Sequence, residues 1–166
     1  APPRRAGLIV PGLRLQQTDG VCAIIFFMAT VVVDTDVFVA ALLGPGGASR
    51  EVLRRCLAGV HRPLMGTALY SEFESVLSRR ALFRGCTLSA PERDALLDAF
   101  LRACRWTRIY YLWRPNLPDE TDNHVLELAV AGAADALVTR NTRDFAGAQL
   151  RFPNLRILRP EQFIKE

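Results

Sequence analysis

Four acids, Asp34, Glu72, Asp122 and Asp144, are the residues of this sequence whose type and placement suit catalysis. Asp34 directly follows the apolar run Val31–Val33, where burying a carboxylate is costly unless something binds it. Glu72 shares a predicted helical face with Leu69, Phe73 and Val76, so its side chain is expected to point inward. Asp122 falls in the first turn of a predicted helix that follows a strand, and Asp144 lies just beyond the apolar segment ending at Thr139. In an open parallel sheet, ligands collect at the carboxyl ends of the strands. Carboxylates converging there repel by roughly 4 kcal/mol per pair at 4 Å and an effective dielectric near 20, so they need a cation or protons. Hard oxygen ligands without thiolate or imidazole select Mg²⁺ or Mn²⁺. Each acid also has a plainer reading. Asp122 and Asp119 would serve as helix caps, Asp144 as a turn residue, and Glu72 as a partner of Arg79 or Arg80.

Other chemistries have less to work with. Only His61 and His124 are present, and Cys22, Cys56, Cys86 and Cys104 form no CxxC pair. Neither a nucleophilic triad nor a zinc site is indicated. The segment GPGGASRE lacks the Lys-Ser/Thr ending of a phosphate-binding loop. The net charge is +4, and of 21 basic residues only Lys165 is lysine. Arginine forks match phosphate oxygens, which suits a nucleic-acid partner, although solvated helix faces would carry the same residues. Arg140 and Arg143, which flank Asn141, and Arg50, which follows the glycine cluster, are the expected grips on substrate.

At 166 residues the chain fits one domain, able to bury roughly 70% of its unfolded surface. Short apolar strands alternate with longer helical stretches, the pattern of βαβ units in a mainly parallel sheet. Helices are predicted over 36–43, from Ala48, over 68–79, from the Ser89-Ala-Pro-Glu capping box to about Cys104, and over 119–131. Strands are predicted at 31–33, 63–65, 109–113, 136–139 and 155–158, with a short terminal helix after Pro160. The apolar run 21–33 is too short to span a bilayer, and its end reads as a buried strand. Met28 is a candidate natural start. Residues 1–27 are therefore expected to be an N-terminal extension, flexible or foreign to the domain, with the domain proper over 28–166.

The segments VVVDTDVFVAALL, TALYSEFESVL and DETDNHVLELAVAGAADALVTRNTRDF resemble, in order, the motifs of PIN-domain proteins, in the branch of toxins from toxin–antitoxin pairs. The resemblance runs from about Met28 to the C-terminus. It implies a three-layer Rossmann-like α/β fold and a four-acid site holding Mg²⁺ or Mn²⁺. It also implies cleavage of single-stranded RNA, a homodimer, an antitoxin protein as partner and a cytoplasmic location without membrane attachment. By motif, the acids are Asp34, Glu72, Asp122 and Asp144, with Asp34, Asp122 and Asp144 as metal ligands and Asp119 and Asn141 as near neighbours. Two positions depart from the pattern. Asp36 stands where the family usually has Asn, an extra carboxylate that would tighten metal binding or spoil its geometry. Asn141 stands where many relatives have an acid, leaving Asp144 as fourth ligand alone or with the Asn141 amide oxygen. Two other readings stay open: a non-catalytic PIN-like module that binds RNA or a partner, and a phosphatase of the haloacid-dehalogenase type suggested by Asp34-Thr35-Asp36. The second also uses a lysine near the phosphoryl group, and the single lysine here, Lys165, lies within the last three residues of this sequence.

Overall fold

An unbroken apolar strand belongs inside a parallel sheet, where both faces are covered, and Val31–Val33 lies there. The computed structural model describes residues 13–18, 21–26, 28–112, 117, 120–146 and 152–166. In chain order these form β1 (Leu13–Thr18), β2 (Val21–Phe26), β3 (Thr30–Val33), α1 (Thr35–Leu43), α2 (Ala48–Leu57), β4 (Arg62–Met65) and α3 (Thr67–Leu77). They continue with α4 (Ala90–Ala103), β5 (Arg105–Trp106), α5 (Asn123–Ala131), β6 (Ala136–Val138), α6 (Thr142–Ala146), β7 (Arg156–Leu158) and α7 (Pro160–Phe163). One 3₁₀ turn, Arg80–Phe83, precedes α4, and another, Glu120–Asp122, leads into α5.

The central sheet has the order β5-β4-β3-β6-β7 and every pairing in it is parallel. The chain moves outward from β3 to β4 and β5, then returns to the other side of β3 for β6 and β7. The order therefore reverses between β3 and β6, and ligand crevices of doubly wound sheets open at that switch point. Leu13–Thr18 and Val21–Phe26 pair antiparallel as a separate two-stranded sheet, β1 with β2. The apolar run read as ending in one strand thus contributes to two, β2 and β3.

Helices hold the sheet through one core. Phe38 of α1, Phe73 of α3 and Phe100 of α4 meet with ring centroids 5.0, 5.4 and 6.0 Å apart, which fixes three helices relative to each other. Burial of such rings contributes about 1.5–3 kcal/mol each. The predicted box at the head of α4 is present, with Ser89 and Glu92 in reciprocal contact. His61 is buried against the Phe163 ring with both nitrogens unpartnered, and burial lowers its proton affinity, so it serves as neutral scaffold. Gly132 lets α5 close on β4: a Cβ there would lie 2.2 Å from Leu64 Cδ1, in a core without slack. Gly132→Ala is expected to destabilise the fold by about 1–3 kcal/mol, read as a lower denaturant midpoint at unchanged slope.

One predicted strand is misplaced. Ile109–Leu112 was expected within the strand 109–113, yet the sheet edge is formed by Arg105–Trp106. Chain geometry overrides β propensity here. Helix α4 ends at Ala103, so the residues next out of it reach β4 first, and β4 itself ends at Met65 before Gly66 turns into α3. Pairing stops after Thr107 N–H donates to Met65 C=O, at 2.8 Å. The helix expected over 119–131 begins as a 3₁₀ turn and becomes α-helical only from Asn123; Asp119 and Trp113 lie outside the described residues.

Candidate active site

Register places the ends of the five strands in a row. Val33 is level with Val138 and Leu158, and Met65 is level with Trp106. The residues that follow, Thr107, Gly66, Asp34, Thr139 and Arg159, therefore stand along one edge with Asp34 in the middle. Asp34 is pinned there by its backbone: its N–H donates to Val138 C=O at 3.0 Å, and its C=O accepts from Val37 at 3.1 Å to start α1. Its carboxylate makes no capping hydrogen bond to α1. Burial raises its proton affinity, and the charge of Glu72 raises it further, outweighing the Thr139 hydroxyl and the Thr35 N–H.

Glu72 reaches the same place from α3, one residue before the buried anchor Phe73. Its Oε2 lies 2.8 Å from His124 Nε2, and His124 Nδ1 lies 2.6 Å from Thr121 C=O. Both ring nitrogens thus face oxygen acceptors, an arrangement satisfied in full by the imidazolium form. The partners shift consistently. Burial pushes Glu72 up, but His124 and Thr35 hold it below the usual carboxylate range. Burial pushes His124 down, but Glu72 holds it above the usual imidazole range. The Thr35 hydroxyl is buried and reaches no acceptor in good hydrogen-bonding geometry, although it is near enough to favour charge on Glu72. His124 escaped the sequence reading, which weighed histidines only as triad or metal-cluster members; its place two residues after Asp122 was the available signal.

Asp36 is clamped rather than open. Both of its carboxylate oxygens accept from Arg140 N–H, at 3.1 and 3.3 Å, joining α1 to the loop after β6. Burial and the neighbouring charge of Asp34 push its pKa up to about 6. That loop also carries Asn141, whose N–H donates to Thr139 Oγ1 at 3.1 Å and whose side-chain amide donates to Asp144 in the first turn of α6. Asp144, Asn141, Thr139 and Asp34 are therefore linked in one hydrogen-bonded series. Asp122 stands at the N-terminal boundary of α5 and makes no side-chain capping bond. Arg140 and Arg143 are exposed, whereas Arg50 Nη1 holds Gly44 C=O at 2.9 Å.

Asp34, Glu72 and His124 are thus brought together, with Asp36 beside Asp34 and Asp144 tied in through Asn141. Among the described residues, no three His, Cys, Asp or Glu side chains already form a metal cage. The donors nonetheless suit a hard divalent cation: Asp34 and Glu72 bring carboxylate oxygens to the switch point, Asp34 pushed towards protonation by burial and by the charge of Glu72, beside an orphaned hydroxyl.

Two solved structures share the architecture. One is VapBC2 from Rickettsia felis bound to a DNA fragment from its promoter, with TM-score 0.53 and 15% identity, covering 78% of this chain and 98% of that one. The other is DNA-bound VapBC from Salmonella typhimurium, with TM-score 0.54 and 14% identity, covering 80% of this chain and 99% of that one. At such identity they establish the fold alone. No curated protein matches the sequence. The family model described as PIN domain matches residues 30–143, which span β3 to the start of α6 and include Asp34, Glu72 and Asp122. This chain belongs to the PIN-domain family.

Proposed function

We propose that this protein is a Mg²⁺- or Mn²⁺-dependent endoribonuclease that hydrolyses single-stranded RNA and acts as the toxin of a toxin–antitoxin pair. The observation that carries the reading is the meeting of Asp34 and Glu72 at the switch point, with the Asp34 carboxylate unused as a cap. Asp34, Asp122 and Asp144 would hold the cation, with Asp119 and Asn141 as near neighbours. When bound, the cation supplies an activated water and stabilises charge on the scissile phosphate. Glu72, held ionised by His124, completes the acidic cluster; the water oxygen bonds to phosphorus as one P–O bond breaks, the water's proton passing to solvent and the departing oxygen taking a proton from solvent. Arg140 and Arg143 grip phosphates on either side of Asn141, a task for which Arg50 is less free. The shared fold of the two VapBC complexes supports an antitoxin protein as partner, and we extend the reading to a homodimer acting in the cytoplasm. No helix among the described residues is long and apolar enough to cross a membrane.

A second reading, a non-catalytic PIN module that binds RNA or a partner, draws support from Asp36, because the backbone N–H of Arg140 already occupies it. Incubating unstructured RNA with the protein in Mg²⁺, Mn²⁺ or EDTA separates the two. Cleavage in both metals and none in EDTA is expected; intact RNA in all three leaves the module reading.

A further inference from the structure

The segment leaving β5 presents a surface that the core does not use. Trp106 is 54% exposed, Tyr110 78%, Tyr111 77% and Leu112 67%. Single exposed apolar residues are ordinary, but a run of large rings within seven residues is not. Arginines alternate with them: Arg105 and Arg108 are exposed as well. The Trp106 ring is held edge-on by Tyr70, with centroids 5.7 Å apart, and Arg105 is anchored to Gly132 C=O at 2.5 Å. Part of the surface is therefore preorganised.

Its position connects it to the site. Parallel pairing sends the chain out of β5 at the same sheet edge as Asp34, two strands away. At a strand spacing near 4.8 Å, Thr107 stands about 10 Å from Asp34. Tyr70 also borders a groove of about 500 Å³ whose charged lining mixes Glu74, Asp94 and Asp98 with Arg80 and Arg93. A polyanion crossing this edge meets the exposed Arg105 and Arg108.

We propose that Trp106, Tyr110 and Tyr111, with Arg108, form a stacking platform that binds unpaired bases of a single-stranded RNA leading to or from Asp34. The proposal rests on the ribonuclease reading above and names how its substrate is held. Aromatic faces interleaved with arginine are the chemistry of sequence-tolerant single-strand binding: rings stack on bases and guanidinium groups meet the backbone. A paired helix hides its base faces and gains nothing from such rings.

The test uses the full chain in EDTA, with a fluorescein-labelled twelve-residue oligouridylate and an abasic strand of the same length followed by anisotropy. Tyr110→Ala with Tyr111→Ala is expected to weaken oligouridylate binding at least about tenfold. The same variant should leave the abasic strand's affinity and the melting temperature unchanged. Tyr110→Phe with Tyr111→Phe should retain the parent's affinity, because phenylalanine keeps the ring face. Arg108→Ala should flatten the log–log salt dependence by about 0.7. Parent-like binding of oligouridylate by the double alanine variant overturns the platform while leaving the ribonuclease reading intact. So does a variant that keeps RNA affinity but dissociates a dimer in sedimentation, which would make the surface a protein interface. A parent that binds oligouridylate but cleaves no RNA with metal, beside a double alanine variant that loses affinity as described, sustains the platform and removes the ribonuclease reading.

Discussion

Asp34→Asn is expected to lower RNA cleavage by roughly a hundredfold or more while leaving the fold at least as stable as the parent. Losing even an outer partner of a metal ligand typically costs 10–100-fold, and Asp34 is assigned as a ligand itself. Asparagine is nearly isosteric and keeps an acceptor for the Thr139 hydroxyl, so the backbone bonds that start α1 persist. The stability direction follows from the raised proton affinity of Asp34. A carboxylate raised by burial and by the Glu72 charge stabilises the fold when protonated and loses that contribution as pH rises through its folded pKa. At neutral pH the neutral amide removes this penalty. Single-turnover cleavage and thermal unfolding of both proteins check the two halves. Undiminished cleavage would refute the assignment, and a large drop in melting temperature would make Asp34 a structural residue.

Divalent metal is expected to raise the melting temperature by several degrees at pH 7 and by less at pH 5. At a hundredfold excess over the dissociation constant, the gain is about 2.7 kcal/mol, and a domain of this size shifts by roughly 2–4 °C per kcal/mol. Asp36 titrates near 6 instead of 3.8, pushed up by burial and by Asp34. Its contribution to stability is complete below about 3.8 and is lost as pH rises through about 6. The metal-free protein therefore carries its greatest carboxylate strain at neutral pH, where a cation gives the largest relief. As pH falls through about 6, Asp36 takes up a proton, and Asp34, whose proton affinity is also raised, holds a metal less well. Differential scanning fluorimetry with Mg²⁺, with Mn²⁺ and with NaCl at matched ionic strength supplies the comparison. Equal shifts from all three salts, in the parent and in Asp34→Asn alike, would mean that these acids form no metal site.

What was legible in the sequence is what local patterning dictates. The apolar run Val31–Val33 announced a central strand, Ser89-Ala-Pro-Glu announced the head of α4, and alternating strands and helices announced a parallel sheet, because periodicity and capping act within a few residues. Asp34 was legible for the same reason, as an acid at the end of a buried strand. Contacts between distant segments were decided only by the tertiary structure. Asp36 looked like a spare ligand until β6 brought the Arg140 N–H across 104 residues to clamp it. His124 had no visible role until α3 and α5 set its ring against Glu72, 52 residues away. The aromatic segment 109–112 read as a strand because its residues favour β structure, but the endpoints of α4 and β4 fixed the pairing at Arg105–Trp106 and left the rings exposed. Propensity belongs to a residue, whereas register and charge environment belong to whatever the fold places beside it.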